Sequence, residues 1–374
     1  MQESIAYVGL DVHRDSISVA LAEGVGEPME VGQIPSDSDS VRRMAERLAR
    51  RHAKLAFAYE AGPCGYELYR QLTLMGHCCM VIAPSLMPRR PGDRIKTDRR
   101  DALTLARLLR SGDLTEVWVP DEHHEAVREL VRCREDFKQV ERRCRQQLCA
   151  LLLRHRRCYQ KDNWTQEHQR WLLSQSFDCQ ETQMVFDHYL RSIQECGERI
   201  AHLERQMEAA LGSWSLAPLV RGLMAMRGIR LVSAMTYAAE LGDLTRFSHA
   251  GELMAFVGLV PGESSSGPNR RLGPITKSGN RHVRRVLIET SWSCRHKPSI
   301  SKSLRDRSRD ASESVRAIAW KAQKRLHCKY HRLIARGKSS QTAITAVARE
   351  QLGFIWAIGR QVMEEQRSPA TSGA

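Results

Sequence analysis

Apolar and polar residues alternate along the first third of the chain in two textures. Residues Ile5–Val12 (IAYVGLDV) form an apolar run that ends beside an Asp and reads as a buried strand. Residues 16–21 (SISVAL) read as a second strand after a polar turn, and 30–34 as a weaker third. Ser36-Asp-Ser-Asp offers N-caps for a helix to about residue 51. A fourth strand, 54–59 (KLAFAY), ends at Glu60. Gly62, Pro63 and Gly65 then punctuate a turn before a helix over 66–75, and a short fifth strand follows at Cys78–Ile82. Residues 98–110 carry apolar side chains at 102, 103, 105, 106, 108 and 109, which is a helical stripe. This order predicts an α/β domain over residues 1–120.

Beyond Pro120 the periodicity is helical throughout. Residues 121–159 read as one long, charged helix with coiled-coil character, and 165–211 as a second helical stretch broken near Phe177–Asp178. Together they predict a helical region over 121–214, open to two readings: a spacer bundle, or an oligomerisation or RNA-contact element. A mainly helical domain is expected over 215–360, with 361–374 as a disordered tail. Met226–Ala234 looks like half of a helix-hairpin-helix, with Arg230 where the second Gly usually stands.

Charge changes this picture. The chain has 374 residues and a net charge of +15, with 58 Lys and Arg against 43 Asp and Glu. Residues 266–338 hold 20 basic and 4 acidic residues, so the whole excess lies in this window. A localised basic surface, rich in Arg, favours a polyanionic partner and above all nucleic acid. The bland alternative is a solvated basic helix pair. The 11 Cys make no CxxC pair, and reduced thiols in the cytoplasm are the expectation. No run is long and apolar enough to span a bilayer.

Two groups of residues can carry chemistry. Asp11 and Glu60 end strands, and Asp98 and Asp101 share one face at a helix start. Such carboxylates repel one another unless a cation binds them, and Mg²⁺ suits hard oxygen ligands and phosphate. Individually each Asp has a structural explanation as a cap or turn residue; as an ordered set they point to metal. The second group is Gly262-Glu-Ser264-Ser265-Ser266-Gly267 with Arg270, Arg271, Lys277, Asn280, Arg281, Arg284 and Arg285. Two readings remain for it: a flexible or phosphate-gripping loop, or a serine nucleophile beside charge-neutralising arginines. The N-terminal amides of a helix over 281–292 could also hold phosphate.

The segments GLDVHRDSISVALA, AYEAGPCGYELYRQL, KTDRRDALTLARLLRSGDLTEVWVP and GLVPGESSSG with ITKSGNRHVRRVLIE resemble the DEDD transposases of insertion sequences. This is the IS-one-ten group, similar to the Piv-type DNA invertases and including bridge-RNA-guided recombinases. The resemblance runs from about residue 5 to 359. It implies a RuvC-like, RNase H-type N-terminal domain, a coiled-coil insertion and a C-terminal transposase domain. The D-E-D-D set falls on Asp11, Glu60, Asp98 and Asp101 as Mg²⁺ ligands. The serine nucleophile falls on Ser266, with Ser264 and Ser265 as neighbours within the offset. It further implies a transient phosphoserine link to DNA, donor and target DNA as substrates, a noncoding bridge RNA as guide, and a homodimer or homotetramer. The expected location is the bacterial cytoplasm, in association with the nucleoid. A metal-dependent structure-selective nuclease and a non-catalytic nucleic-acid-binding protein are the alternative functions.

Overall fold

The structure is a computed structural model and describes residues 5–84, 87, 98–263 and 271–367. The chain divides into two compact units, Met1–Val119 and Pro120–Ala374.

The first unit is built on a five-stranded mixed sheet. Its strands are β1 (Ile5–Val12), β2 (Ser16–Ala22), β3 (Met29–Pro35), β4 (Lys54–Glu60) and β5 (Cys78–Ile82), in spatial order β3-β2-β1-β4-β5. The first three pair antiparallel, while β4 and β5 run parallel to β1. Helix α1 (Ser38–Ala49) starts where Asp37 accepts a hydrogen bond from the Ser40 amide, at 2.9 Å. It buries Val41, Met44, Ala45 and Leu48 against one sheet face. Helix α2 (Glu67–Leu74) adds Leu72 to that core. Helix α3 (Asp98–Ser111) covers the opposite face, through Ala102 and Ala106 against Ala20 and Ala22 and through Leu109 against Ala58. Gly9 on β1 permits this close approach. A Cβ there would lie 2.2 Å from the Ala102 carbonyl oxygen.

The second unit is helical apart from one hairpin. Helix α4 (Glu122–Arg154) is capped by Asp121, and its chain turns off at Arg156, whose φ is +56°. Helix α5 (Gln166–Leu173) and α6 (Gln180–Ala210) follow, with α6 antiparallel to α4. Two cores flank a charged middle. Leu148, Leu151, Leu152, Leu172 and Phe186 cluster at one end of the helix pair. At the other end Val127, Val131 and Met207 join the main core. That core is completed by α7 (Ala217–Leu223), α8 (Leu231–Leu241), α9 (Ala250–Phe256), α10 (Arg281–Ser291), α12 (Glu313–Ala335) and α13 (Ser340–Arg367). Helix α11 (Lys302–Arg307) is a short helix that buries Leu304. The two ends of 121–214 therefore differ, one packing as a separate cluster and the other sharing a core with the C-terminal helices.

The expected tail starts too early. Helix α13 continues to Arg367 because Val362 is buried and sits tightly over Gly222, where a Cβ would be 2.8 Å away. Ser312 also donates to Glu365 at 2.8 Å. Two short strands, β6 (Pro261–Glu263) and β7 (Leu272–Ile275), pair antiparallel between α9 and α10. Among the described residues no helix is long and apolar enough to cross a membrane.

Candidate carboxylate site and nucleic-acid interface

The carboxylates of the first unit are set by strand register and by α3. Leu10 pairs with Tyr59, so the next residues, Asp11 and Glu60, are neighbours at the ends of parallel strands. Leu10 and Tyr59 are buried in the core shared with α1, which puts Asp11 and Glu60 on the alternate face, where α3 packs. Asp98 and Asp101 occupy the first turn of α3. The close crossing of α3 over Gly9 anchors the helix on the face that carries Asp11.

The structure brings Asp11 and Asp98 together through a residue that sequence reasoning missed. His13, in the turn after β1, lies with Nε2 3.2 Å from Asp11 Oδ2 and 3.3 Å from Asp98 Oδ1. One ligand atom from each of the three lies within 4.8 Å of the others. Burial pushes the Asp11 carboxyl above its ordinary value. His13 opposes that shift, while the charges of Asp101 and Asp98 add to it. Asp101 is thus within electrostatic reach of Asp11. The only sequence signal for His13 was its spacing, two residues after the strand-end Asp.

Ser264, Ser265, Ser266 and Arg270 lie outside the described residues. The stem that carries them is described, and it stands on a backbone crossing. Gly258 has φ +72°, and a Cβ there would lie 1.9 Å from the Ser278 carbonyl oxygen. Gly279 has φ +83°, and its Cβ would meet the Phe256 carbonyl oxygen at 2.0 Å. Only glycine fits either place. The amides of Lys277 and Thr276 then donate to Gly258 and Val260 at 3.1 and 2.9 Å.

The basic residues around α10 divide by their partners. Asn280 caps α10 by accepting from the Val283 amide, and its own amide donates to Glu240 at 2.6 Å. Arg284 donates to the carbonyls of Val257 and Ser278. Arg285 donates to Glu135 at 3.0 Å and to Glu289 at 2.8 Å. The structure therefore gives these three internal work, and one helix-start amide of α10 is already used. Arg271, Lys277 and Arg281 are exposed.

Two buried carboxylates anchor this region. Glu240 accepts a bidentate pair of hydrogen bonds from Nε and Nη2 on one edge of the Arg132 guanidinium, at 2.7 and 2.9 Å. Burial alone would raise Glu240, but Arg132 and Asn280 outweigh it and lower its pKa. Burial also works against ionisation of Glu135. Hydrogen bonds from His282 and Arg285 overcome it and hold Glu135 down at about 2.

The hairpin-like turn at Met226–Ala234 is packed on one side. Gly228 has φ +81°, and a Cβ there would strike Ser293 Oγ at 2.3 Å and the Thr290 carbonyl at 2.7 Å. Arg230 stands at the N-cap of α8, with its amide donating to Ser233 Oγ at 2.9 Å.

Comparison with known proteins identifies the class. A DEDD transposase family model of the IS110 type matches residues 8–156, and the transposase IS116/IS110/IS902 family model matches residues 220–305. Transposases cut and join DNA. The chain is 45% identical over 362 residues to transposase y4qE of Sinorhizobium fredii, covering 96% of this chain and 90% of that one. It is 30% identical over 339 residues to the transposase for insertion sequence element IS1533 of Leptospira borgpetersenii, covering 87% and 96%. The chain belongs to the IS110 family of transposases.

Proposed function

We propose that the chain is an RNA-guided, site-specific DNA recombinase that excises and inserts its insertion sequence. Residues 1–120 act as a RuvC-like, RNase H-type domain that holds Mg²⁺ through Asp11, Glu60, Asp98 and Asp101. Residues 121–214 form the coiled-coil region and 215–360 the transposase domain with the serine loop. The sheet order β3-β2-β1-β4-β5, with carboxylates at the ends of its two central parallel strands, supports the first assignment.

The observation that carries the metal reading is the Asp11, His13 and Asp98 cluster. Two carboxylates converge there, and the negative charges of Asp98 and Asp101 help to raise the Asp11 pKa. His13 Nε2 stands between Asp11 and Asp98, where positive charge is needed. The carboxylate oxygens of Asp11 and Asp98 fit a hard divalent cation. Bound there, Mg²⁺ would supply neutralisation of phosphate oxygens during strand exchange.

The resemblance assigns the nucleophile to Ser266. Its Oγ forms a bond to phosphorus as the bond from phosphorus to a DNA oxygen breaks. The phosphoserine keeps the bond energy, so attack by a DNA hydroxyl rejoins strands without ATP. The exposed Arg271 and Lys277 then serve as contacts to the backbone of the DNA duplex. Guidance by a noncoding RNA would delegate sequence choice to base pairing, and assembly as a dimer or tetramer in the bacterial cytoplasm completes the reading.

Recombination of element ends with target DNA, in the presence of the flanking noncoding RNA, tests this. Asp11→Asn and chelation of divalent cations are each expected to abolish cleavage, with Mg²⁺ restoring it after chelation. Ser266→Ala is expected to abolish the covalent protein–DNA link and strand joining. Joining that survives in Ser266→Ala, with Ser264 and Ser265 tested likewise, sinks the nucleophile assignment. Cleavage by Asp11→Asn at the parental rate sinks the metal site.

A further inference from the structure

The second unit contains a cavity of about 870 Å³ between the charged middle of α4 and the start of α10. It lies in the size range of built ligand sites, ~300–1,000 Å³. One wall is a row of cations on α4: Arg134, Lys138, Arg142 and Arg145. They recur at each turn, roughly 5–6 Å apart along the axis. Arg281 and Arg285, one turn apart on α10, form the facing wall. The same walls carry Glu135, Glu141 and Glu289, so the cavity keeps an excess of three positive charges spread over two facing helices, which suits a polymer of phosphates better than a single anion.

Partners separate the members of the rows. Arg134 pairs with Glu204, and Lys138 and Arg145 both pair with the buried Glu141. Arg285 is held by Glu135 and Glu289. Arg142 and Arg281 are exposed and make no ion pair or side-chain hydrogen bond among the described residues.

One end of the cavity has a different chemistry. The Arg145 guanidinium lies over the Trp164 ring, 4.5 Å from its centroid, and Trp164 lines the cavity. Glu141 holds the Nη2 edge of Arg145, while Nε is buried without a partner among the described residues. Trp164 also has φ +68°, a left-handed backbone that is costly for a bulky aromatic. Its amide donates to His168 Nδ1 at 3.0 Å, which fixes that conformation. The strained turn thus presents a planar aromatic and guanidinium pair beside a groove of cations. A positively charged groove with an aromatic wall is the arrangement that binds unpaired strands, because a free base has an exposed face for stacking and a paired one does not.

We propose that this cavity binds an unpaired polynucleotide strand, with Arg142 and Arg281 contacting phosphates and the Arg145–Trp164 pair receiving a base. The proposal rests on the reading of the chain as an enzyme of nucleic acid and assigns one wall of the contact surface to α4.

The test measures binding rather than recombination, so its failure is distinct from failure of the catalytic assignment. The full chain is titrated by fluorescence anisotropy against three probes. They are an unstructured oligoribonucleotide, the oligodeoxyribonucleotide of the same sequence, and the blunt DNA duplex. In the double variant Arg142→Gln/Arg281→Gln, affinity for one or both single strands should fall at least about tenfold. The log–log salt slope should flatten by about 1.4, from ~0.7 for each lost phosphate contact. Loss on RNA alone, DNA alone or both identifies the strand and supports the proposal. Affinity for the duplex should stay within about twofold. Arg191→Gln/Arg205→Gln, which removes equal charge from exposed positions of α6, should change none of the three. Trp164→Ala should weaken single-strand binding by roughly 5- to 150-fold, equivalent to ~1–3 kcal/mol per stacked base. Trp164→Phe should retain most of the affinity and guards against loss of the local core. Unchanged single-strand binding in the arginine variant, equal loss on the duplex, or equal loss in the α6 control would each overturn the proposal.

Discussion

Gly9→Ala is expected to damage the carboxylate site from beneath. A Cβ at Gly9 would lie 2.2 Å from the Ala102 carbonyl oxygen, 2.4 Å from the Ala106 amide nitrogen and 2.9 Å from Leu105 Cβ. Two of these neighbours are backbone atoms of α3, so no side-chain rotation relieves the overlap. Non-bonded heavy atoms settle near 3.5 Å, and α3 must therefore retreat from the sheet by about 1 Å. That movement opens the packing of Ala102 and Ala106 against Ala20 and Ala22. Overpacking of a close-packed interior costs about 1–3 kcal/mol, and rigid backbone on both sides puts this case near the top. For a unit of this size about 3 kcal/mol corresponds to a loss of roughly 10 °C or more in Tm.

The catalytic effect should exceed the stability effect. Asp98 and Asp101 ride on the first turn of α3, and a site tolerates only about 0.5 Å of misplacement. Cleavage should therefore fall at temperatures where the variant is still folded. Gly26→Ala is the control, because a Cβ there meets nothing within 4 Å and φ at Gly26 is not left-handed. Thermal denaturation and Mg²⁺-dependent DNA cleavage are measured on the three proteins. A Gly9→Ala protein that melts and cleaves like the parent would refute the claim that the α3 crossing sets the site.

Acid should loosen the junction between α4 and α10. The folded Glu135 pKa, about 2, lies below its ordinary value, so its contribution is complete above about pH 5 and is lost as pH falls towards 2. Because Arg285 is well exposed, the contribution is discounted to about 2 kcal/mol. Glu135→Gln should lower stability at neutral pH by that amount and flatten the acid limb of a urea-denaturation series; an unchanged limb counts against the pairing. Gly258→Ala should disrupt the seat of the β6–β7 hairpin, since its Cβ would meet Ser278 O at 1.9 Å at a left-handed φ. Strand cleavage and joining should both drop by more than tenfold, since both pass through the serine loop, and parental joining would show that the crossing is dispensable.

Much of the first unit was legible because its strands are short apolar runs separated by turn residues. IAYVGLDV and CCMVI form β1 and β5 as read, and α1 starts within the expected cap cluster. The pairing of Asp98 with Asp101 on one helix face follows from their spacing alone. Their approach to Asp11 was expected from the ordered set and the resemblance, but its cause, a helix crossing at Gly9, was not legible, because a glycine within an apolar strand does not declare what packs on it. Nor was the hairpin stem. Strands of three and four residues containing Pro261, Gly262 and Pro274 have no alternation to read, and they pair because the chain crosses itself at Gly258 and Gly279. The long helix was expected to reach residue 159, but it ends at Arg154, as Arg156 takes a left-handed φ that no local glycine announces.

The charge of the window 266–338 needs a physical correction of the same kind. Its basic residues are not equivalent. Arg307 donates to the carbonyls of Met224 and Met226, and Arg284 to those of Val257 and Ser278. Arg325 and Lys329 meet Glu350 on α13, and Arg285 meets Glu135 on α4. Those two carboxylates come from outside the window, so folding delivers negative charge into a stretch that looks uncompensated in sequence. Arg142 belongs to the nearly neutral remainder of the chain yet lines the same cavity as Arg281. A net charge therefore bounds the number of phosphates a surface can neutralise without locating them. The cations left without protein partners, from both parts of the sequence, are the ones able to release counterions from a nucleic acid.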